Sequence, residues 1–286
     1  MIGNRLLLAA LAFVAVAGCG LPHRAVAAQQ QCEPTQVATK YPSLAGKVLK
    51  ISFTGSDPPY SFRDPNDFNN LLGFLPDYAR AVVACIGLPP PTFMTADWSG
   101  LVASVTSGQV DAMWDALYYT PERAQMIDYV IYFSAASGVF VPKGNPKHIH
   151  AIEDLCGLRG VAPVGTIEIQ KLNSANEQCL AAHKPAITVI TSKDNPDGAQ
   201  LVRAGRADCF LGEATTTIYG TDDYERAFIF QSNIRVGLAT PKGATALETA
   251  ILEAIKILKA DGTENKLFAK YNMDPALSLP AEIVTK

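Results

Sequence analysis

From Val48 to Leu258 the chain alternates short β-rich apolar runs with segments of helical period, and this alternation limits the fold more than any other feature. Val48 to Thr54 is a strand-like run, and Leu75, Tyr78, Ala79, Val82, Val83 and Ile86 then recur at helical spacing. Val110 to Trp114 and Gly138 to Val141 are further apolar runs. Leu247, Ile251, Leu252, Ile255 and Leu258 mark a long amphipathic helix that Asp261-Gly262 ends. Such alternation implies an α/β chain, with mostly parallel strands and helices on both faces. A loose internal repeat points to two such sheets. Val105-Thr106-Ser107-Gly108-Gln109-Val110-Asp111-Ala112 parallels Val202-Arg203-Ala204-Gly205-Arg206-Ala207-Asp208-Cys209, each reading as a helix end, a glycine cap and an entering strand. Helix-Gly-strand joints are common, so chance repetition of this grammar stands as the alternative.

The leader-like start and the cysteines together lead us to expect a chain exported from the cytoplasm. Arg5 and the short apolar run Leu6 to Ala17 read as an export leader, too short for a membrane span of about 20 residues. Two processing sites compete. Ala25-Val26-Ala27 has the small-x-small form of ordinary cleavage, which makes residues 1–27 the signal peptide. Val16-Ala17-Gly18-Cys19 reads as a lipobox that would leave Cys19 as a lipid anchor. Cys32, Cys85, Cys156, Cys179 and Cys209 follow the leader. Exported chains keep disulfides. In a strand-then-helix unit the helix returns its C-terminus near the strand's start. Cys32 with Cys85, and Cys156 with Cys179, are therefore expected to close within the ~4.4–6.8 Å Cα separation a disulfide needs, with Cys209 left over in a strand. The net charge of −3 argues against a broad basic face for nucleic acid. His148 and His150 have no further ligands near them in sequence, so no metal is expected. No Gly-x-Ser-x-Gly, His-Glu-x-x-His or P-loop occurs, and no cofactor is implied.

Trp98 to Val141 carries an ordered set of motifs: Trp98-Ser99-Gly100-Leu101, Gly108-Gln109-Val110-Asp111-Ala112 and Thr120-Pro121-Glu122-Arg123. Asp57-Pro58-Pro59-Tyr60 and Gly73-Phe74-Leu75-Pro76-Asp77 precede it. Val164-Gly165-Thr166 and Lys259-Ala260-Asp261-Gly262-Thr263 follow. Taken together the set resembles the periplasmic solute-binding proteins of polar-amino-acid ABC transporters, across nearly the whole mature chain. The resemblance implies the type II periplasmic binding protein fold: two Rossmann-like lobes, residues 28–138 plus 233–286 and residues 139–232, joined by two crossing segments and hinged over a ligand cleft. It also implies a monomer in the periplasm or outside the cell, and a membrane permease as partner.

Residue by residue, the resemblance suggests a ligand site. Thr120 suits an N-cap and Pro121 the first helical position, so Arg123 falls in the first turn, where its planar fork can grip a carboxylate. A plain surface arginine is the alternative. Glu213 stands where the family usually carries an aspartate for the ligand's ammonium, and is one methylene longer. Trp98 matches a stacking aromatic, against the alternative of a core tryptophan. Asp57, Asp115 and Tyr118 align with loop positions near the ligand. Leu75 replaces an acid, so a cationic ligand would need Asp57 or Asp115 instead. Thr166 opens a helix whose N–H groups attract anions, and Ile167 stands where a hydroxyl is frequent. Two other function classes remain open: an enzyme like cyclohexadienyl dehydratase, with Glu213 as general acid, and a sensory binding module for a signalling partner.

Overall fold

The computed structural model describes residues 31–214 and 222–286; the expected leader, with Cys19, lies outside the described residues. After a short α1 (Val37–Lys40) come β1 (Lys50–Phe53), β2 (Ser56–Asp57), β3 (Ser61–Arg63), β4 (Leu71–Leu72), α2 (Phe74–Ile86) and β5 (Thr92–Thr95). Next are α3 (Trp98–Thr106), β6 (Ala112–Tyr118), α4 (Pro121–Ala124), β7 (Ile127–Pro142), β8 (Arg159–Pro163) and α5 (Ile167–Ala181). The chain ends with β9 (Thr188–Ser192), α6 (Asn195–Arg203), β10 (Cys209–Glu213), β11 (Tyr224–Pro241), α7 (Thr245–Ala260), α8 (Thr263–Lys270) and β12 (Ser278–Val284).

The large sheet runs β5-β1-β6-β11-β7-β10-β8-β9, with β12 also paired to β7. At one end β1 lies parallel to β5 and β6; at the other, β8 lies parallel to β9 and β10. The two sheets expected from the repeat are thus joined into one. The cause is the length of β7 and β11, which pair antiparallel from Ile127 to Pro142 and serve both ends. Sequence reading found only Gly138 to Val141 of β7. The apolar run continues upstream through Tyr129, Val130, Ile131, Tyr132 and Phe133, all fully buried.

Each end of the sheet has helices on both faces. Around β1 and β6, one core joins Trp114, Phe74, Phe133 and Phe268 to Ile251 and Ile255 of α7, and the opposite face packs Leu101 and Val105 of α3. Around β8 and β10, Leu172 of α5 covers one face, and Ala199 and Val202 of α6 cover the other. The residues that set the helical period of α2 are all buried, Leu75, Tyr78, Val82 and Ile86 among them. Gly73 precedes α2 at φ +126, and a Cβ there would lie 2.3 Å from the Tyr60 carbonyl oxygen.

The internal repeat is structural. Gly108 and Gly205 both take left-handed φ, at +72 and +67. Three residues on, Asp111 accepts from the backbone N–H of Lys50 and donates its own N–H to the Lys50 carbonyl. Asp208 makes the same pair with Arg159. Each aspartate thereby fixes the register at which its strand enters beside β1 or β8. The expected disulfides are both present, Cys32–Cys85 and Cys156–Cys179, with Cα separations of 4.8 and 5.6 Å. Cys209 is a buried thiol in β10, and burial pushes its pKa up to about 12. No helix among the described residues is long and apolar enough to cross a membrane.

Candidate ligand-binding site

A cleft of about 540 Å³ opens between the two ends of the sheet. From the β1/β6 end come Thr54, Ser56, Asp57, Trp98, Ala116, Tyr118 and Arg123. Pro163, Thr166, Ile167, Glu168, Asp194, Asn195 and Glu213 face them from the β8/β10 end. Of the ligand candidates Asp57, Trp98, Asp115, Tyr118, Arg123, Thr166, Ile167 and Glu213, the cleft therefore gathers all but Asp115.

Strand geometry explains that exception. Side chains alternate faces along β6, so Ala116 and Tyr118 share the cleft face and Asp115 points away from it. Its buried carboxylate instead accepts the backbone N–H groups of Thr54 and Ala116. Burial holds its pKa above the usual carboxylate range against these two donors. Asp115 thus holds the backbone that shapes the cleft rather than the cleft surface.

Arg123 sits as the motif requires. Thr120 caps α4 by accepting from the Arg123 N–H at 3.2 Å, and Pro121 opens the helix. The guanidinium donates to the Tyr118 carbonyl at 2.9 Å and, across the cleft, to the Gly165 carbonyl at 2.6 Å. It lies 5.9 Å from the Trp98 ring centre. Trp98 begins α3 and is half-buried beside the cleft; the fully buried core tryptophan is Trp114, whose indole N–H donates to Tyr132. Thr166 caps α5, accepting from the Ile169 N–H, and its hydroxyl donates to the Pro163 carbonyl at 2.7 Å. Ile167 puts an apolar side chain at the same helix start.

Acids dominate the rest. Asp57 accepts from the Asn195 amide across the cleft at 3.1 Å. Burial, reinforced by the charges of Asp115, Glu213 and Asp194, holds its pKa well above the usual carboxylate range. Glu213 is buried at the end of β10, opposite Ser137 of β7. Glu168, in the first turn of α5, is buried and hydrogen-bonded by the Ser137 hydroxyl. Burial raises its pKa, while Ser137, Thr166 and the Arg123 charge pull the other way. Burial, then the charges of Glu168 and Glu213, push the Tyr118 phenol well above its ordinary range.

Sequence reading missed Glu168, Asp194 and Asn195. Asp194 caps α6 by accepting from the Asp197 N–H at 2.8 Å, and Glu168 follows a threonine cap. In sequence both look like ordinary first-turn acids. The usable signal was the matching cap at Thr120, which also places its charged residue in the cleft.

Residues 49–274 match the family model described as bacterial extracellular solute-binding proteins, family 3. The chain belongs to this family. Among curated solute-binding relatives, the L-cystine-binding protein TcyJ of Escherichia coli K12 is 28% identical, over 78% of this chain and 82% of its own. The L-arginine-binding protein of Pseudomonas aeruginosa is 26% identical, over 79% and 88%. A solved structure titled as an ancestral arginine-binding protein bound to arginine superposes with a TM-score of 0.72 at 24% identity, covering 80% of this chain and 99% of that one. At that identity the likeness concerns the fold, which is the type II periplasmic binding fold expected from the sequence.

Proposed function

We propose that this solute-binding protein captures an amino acid or amino-acid-like zwitterion in the cleft and delivers it to an ABC importer in the membrane. The observation that carries the reading is the opposition of Arg123, fixed at the capped start of α4, to the buried Glu213 at the end of β10. In this reading the ligand's carboxylate meets Arg123 near the α5 start, and its ammonium meets Glu213. Trp98 and Tyr118 supply flat walls for the remainder. The curated relatives named for cystine and arginine support the amino-acid class.

The lobes are residues 28–138 plus 233–286 and residues 139–232, and β7 and β11 are the segments that cross between them. Closure about those strands brings Arg123 and Glu213 onto one solute. Export by residues 1–27, anchoring at Cys19 as the other processing outcome, and a monomeric state complete the proposal.

Mass spectrometry of solute released from denatured protein, followed by calorimetry with that solute, tests the reading. An α-amino acid is the expected solute, with the radius of gyration falling on saturation. Conversion of prephenate or arogenate that disappears in Glu213→Gln would replace capture with catalysis.

A further inference from the structure

The cleft is lined by four acids and one base: Asp57, Glu168, Asp194 and Glu213 against Arg123. A zwitterion uses this set unevenly. Its carboxylate needs Arg123 and its ammonium needs one acid. Glu168 already lies in the field of Arg123 and takes the Ser137 hydroxyl. Asp57 and Asp194 then form a second negative pole, with Glu213 also in the field of Asp57. Asp57 takes the Asn195 amide, and Asp194 takes the Asp197 N–H. Both donors are neutral, so neither acid is compensated in charge. Like charges gathered in a partly dehydrated cleft repel until a proton or a cation joins them.

Asp115 adds a further acid behind the wall, bound to the backbone of Thr54 and Ala116.

We propose that the solute carries a second, distal positive charge, received by Asp57 and Asp194, so that it enters the cleft with net positive charge. This rests on the amino-acid reading above and narrows it to cationic amino acids. Asp57 sets the selectivity, because it faces the other acids across the cleft. Asp194 is tied to its capping role.

Calorimetry with matched probes tests the inference: L-arginine against its neutral isostere L-citrulline, L-lysine against L-norleucine, with L-cystine, agmatine and putrescine alongside. The cationic member of each pair should bind at least about 30-fold more tightly, in the range expected for a charge pair out of water. Asp57→Asn should reduce that ratio to about threefold or less. Equal binding of citrulline and arginine overturns the second charge and leaves the amino-acid reading standing; tighter binding of L-cystine than of either cation, its distal ammonium being balanced by a second carboxylate, overturns the net positive charge and leaves that reading standing. Binding of agmatine or putrescine with no amino acid bound overturns that reading and keeps the acidic pole. Binding of none of the probes overturns the second charge, while the amino-acid reading is decided by the mass spectrometry above. An unchanged ratio in Asp57→Asn removes Asp57 from the pole.

Discussion

Replacing Asp57 by asparagine should make the ligand-free protein more stable and its cationic ligand weaker, opposite signs that no simple packing defect produces. The folded chain holds the Asp57 pKa well above the usual carboxylate range, through burial first and the charges of Asp115, Glu213 and Asp194 second. A carboxyl raised in this way binds its proton more tightly when the chain is folded. Its contribution to stability is present below the ordinary carboxylate pKa of about 3.9 and is lost as pH climbs through the raised folded value. Asparagine keeps an oxygen that can accept the Asn195 amide now 3.1 Å from the carboxylate. It removes the charge and little else. Relief of strain at a binding site of this kind is worth about 0.5–2 kcal/mol, at about 2–4 °C per kcal/mol for a chain of this size. Urea melts of wild type and variant at pH 5 and pH 8, without ligand and with disulfides intact, measure it. The variant's advantage should be larger at pH 8. A variant less stable at pH 8, or an advantage equal at both pH values, refutes the claim that a dehydrated, repelled anion sits at this position.

Arg123→Ala should weaken binding of the solute identified by mass spectrometry by about 2–5 kcal/mol, roughly 30-fold to several-thousand-fold; a change within threefold in a folded variant refutes its role. Gly73→Ala should lower the thermal midpoint sharply. Its φ of +126 alone costs a side chain about 1–3 kcal/mol, and the new methyl would meet the Tyr60 carbonyl; a neutral result in denaturant melts would mean the backbone there yields freely. Replacing Cys156 and Cys179 together by alanine should cost about 2–5 kcal/mol, since the bridge closes a separation of 23 residues, and denaturant midpoints with and without the pair measure it.

What could be read from the sequence was local. The glycine-to-aspartate spacing of the repeat was legible because each copy closes its own hydrogen bonds, Asp111 with Lys50 and Asp208 with Arg159. The disulfides were legible because a strand-helix unit folds back on itself, and the α4 cap because threonine, proline and arginine act within one turn. The length of β7 and β11 was not legible. Residues 127 to 142 are held as one strand by pairing with residues about a hundred positions away, not by their own pattern. Asp115 shows a different gap. Once Tyr118 is assigned to the cleft, strand alternation already excludes a residue an odd number of places away, so the information was present but unused. Glu168 and Asp194 escaped notice because a helix-capping acid and a cleft acid are written with the same letters. Only tertiary placement separates them.

The groups assigned to the ligand are also the groups that join the two sides of the cleft. Arg123 holds the Tyr118 carbonyl on its own side and the Gly165 carbonyl opposite, and Asp57 holds the Asn195 amide opposite. In the proposed closure these contacts act directionally, one basic and one acidic. A solute whose carboxylate and cation lie at opposite ends can reach both latches at once. A zwitterion with no second cation leaves Asp57 to its repulsion from Asp115, Glu213 and Asp194. In the proposed function, closure and selectivity are then one property of the same few side chains: the solute that neutralises the acids is the one for which the closed arrangement is most favourable.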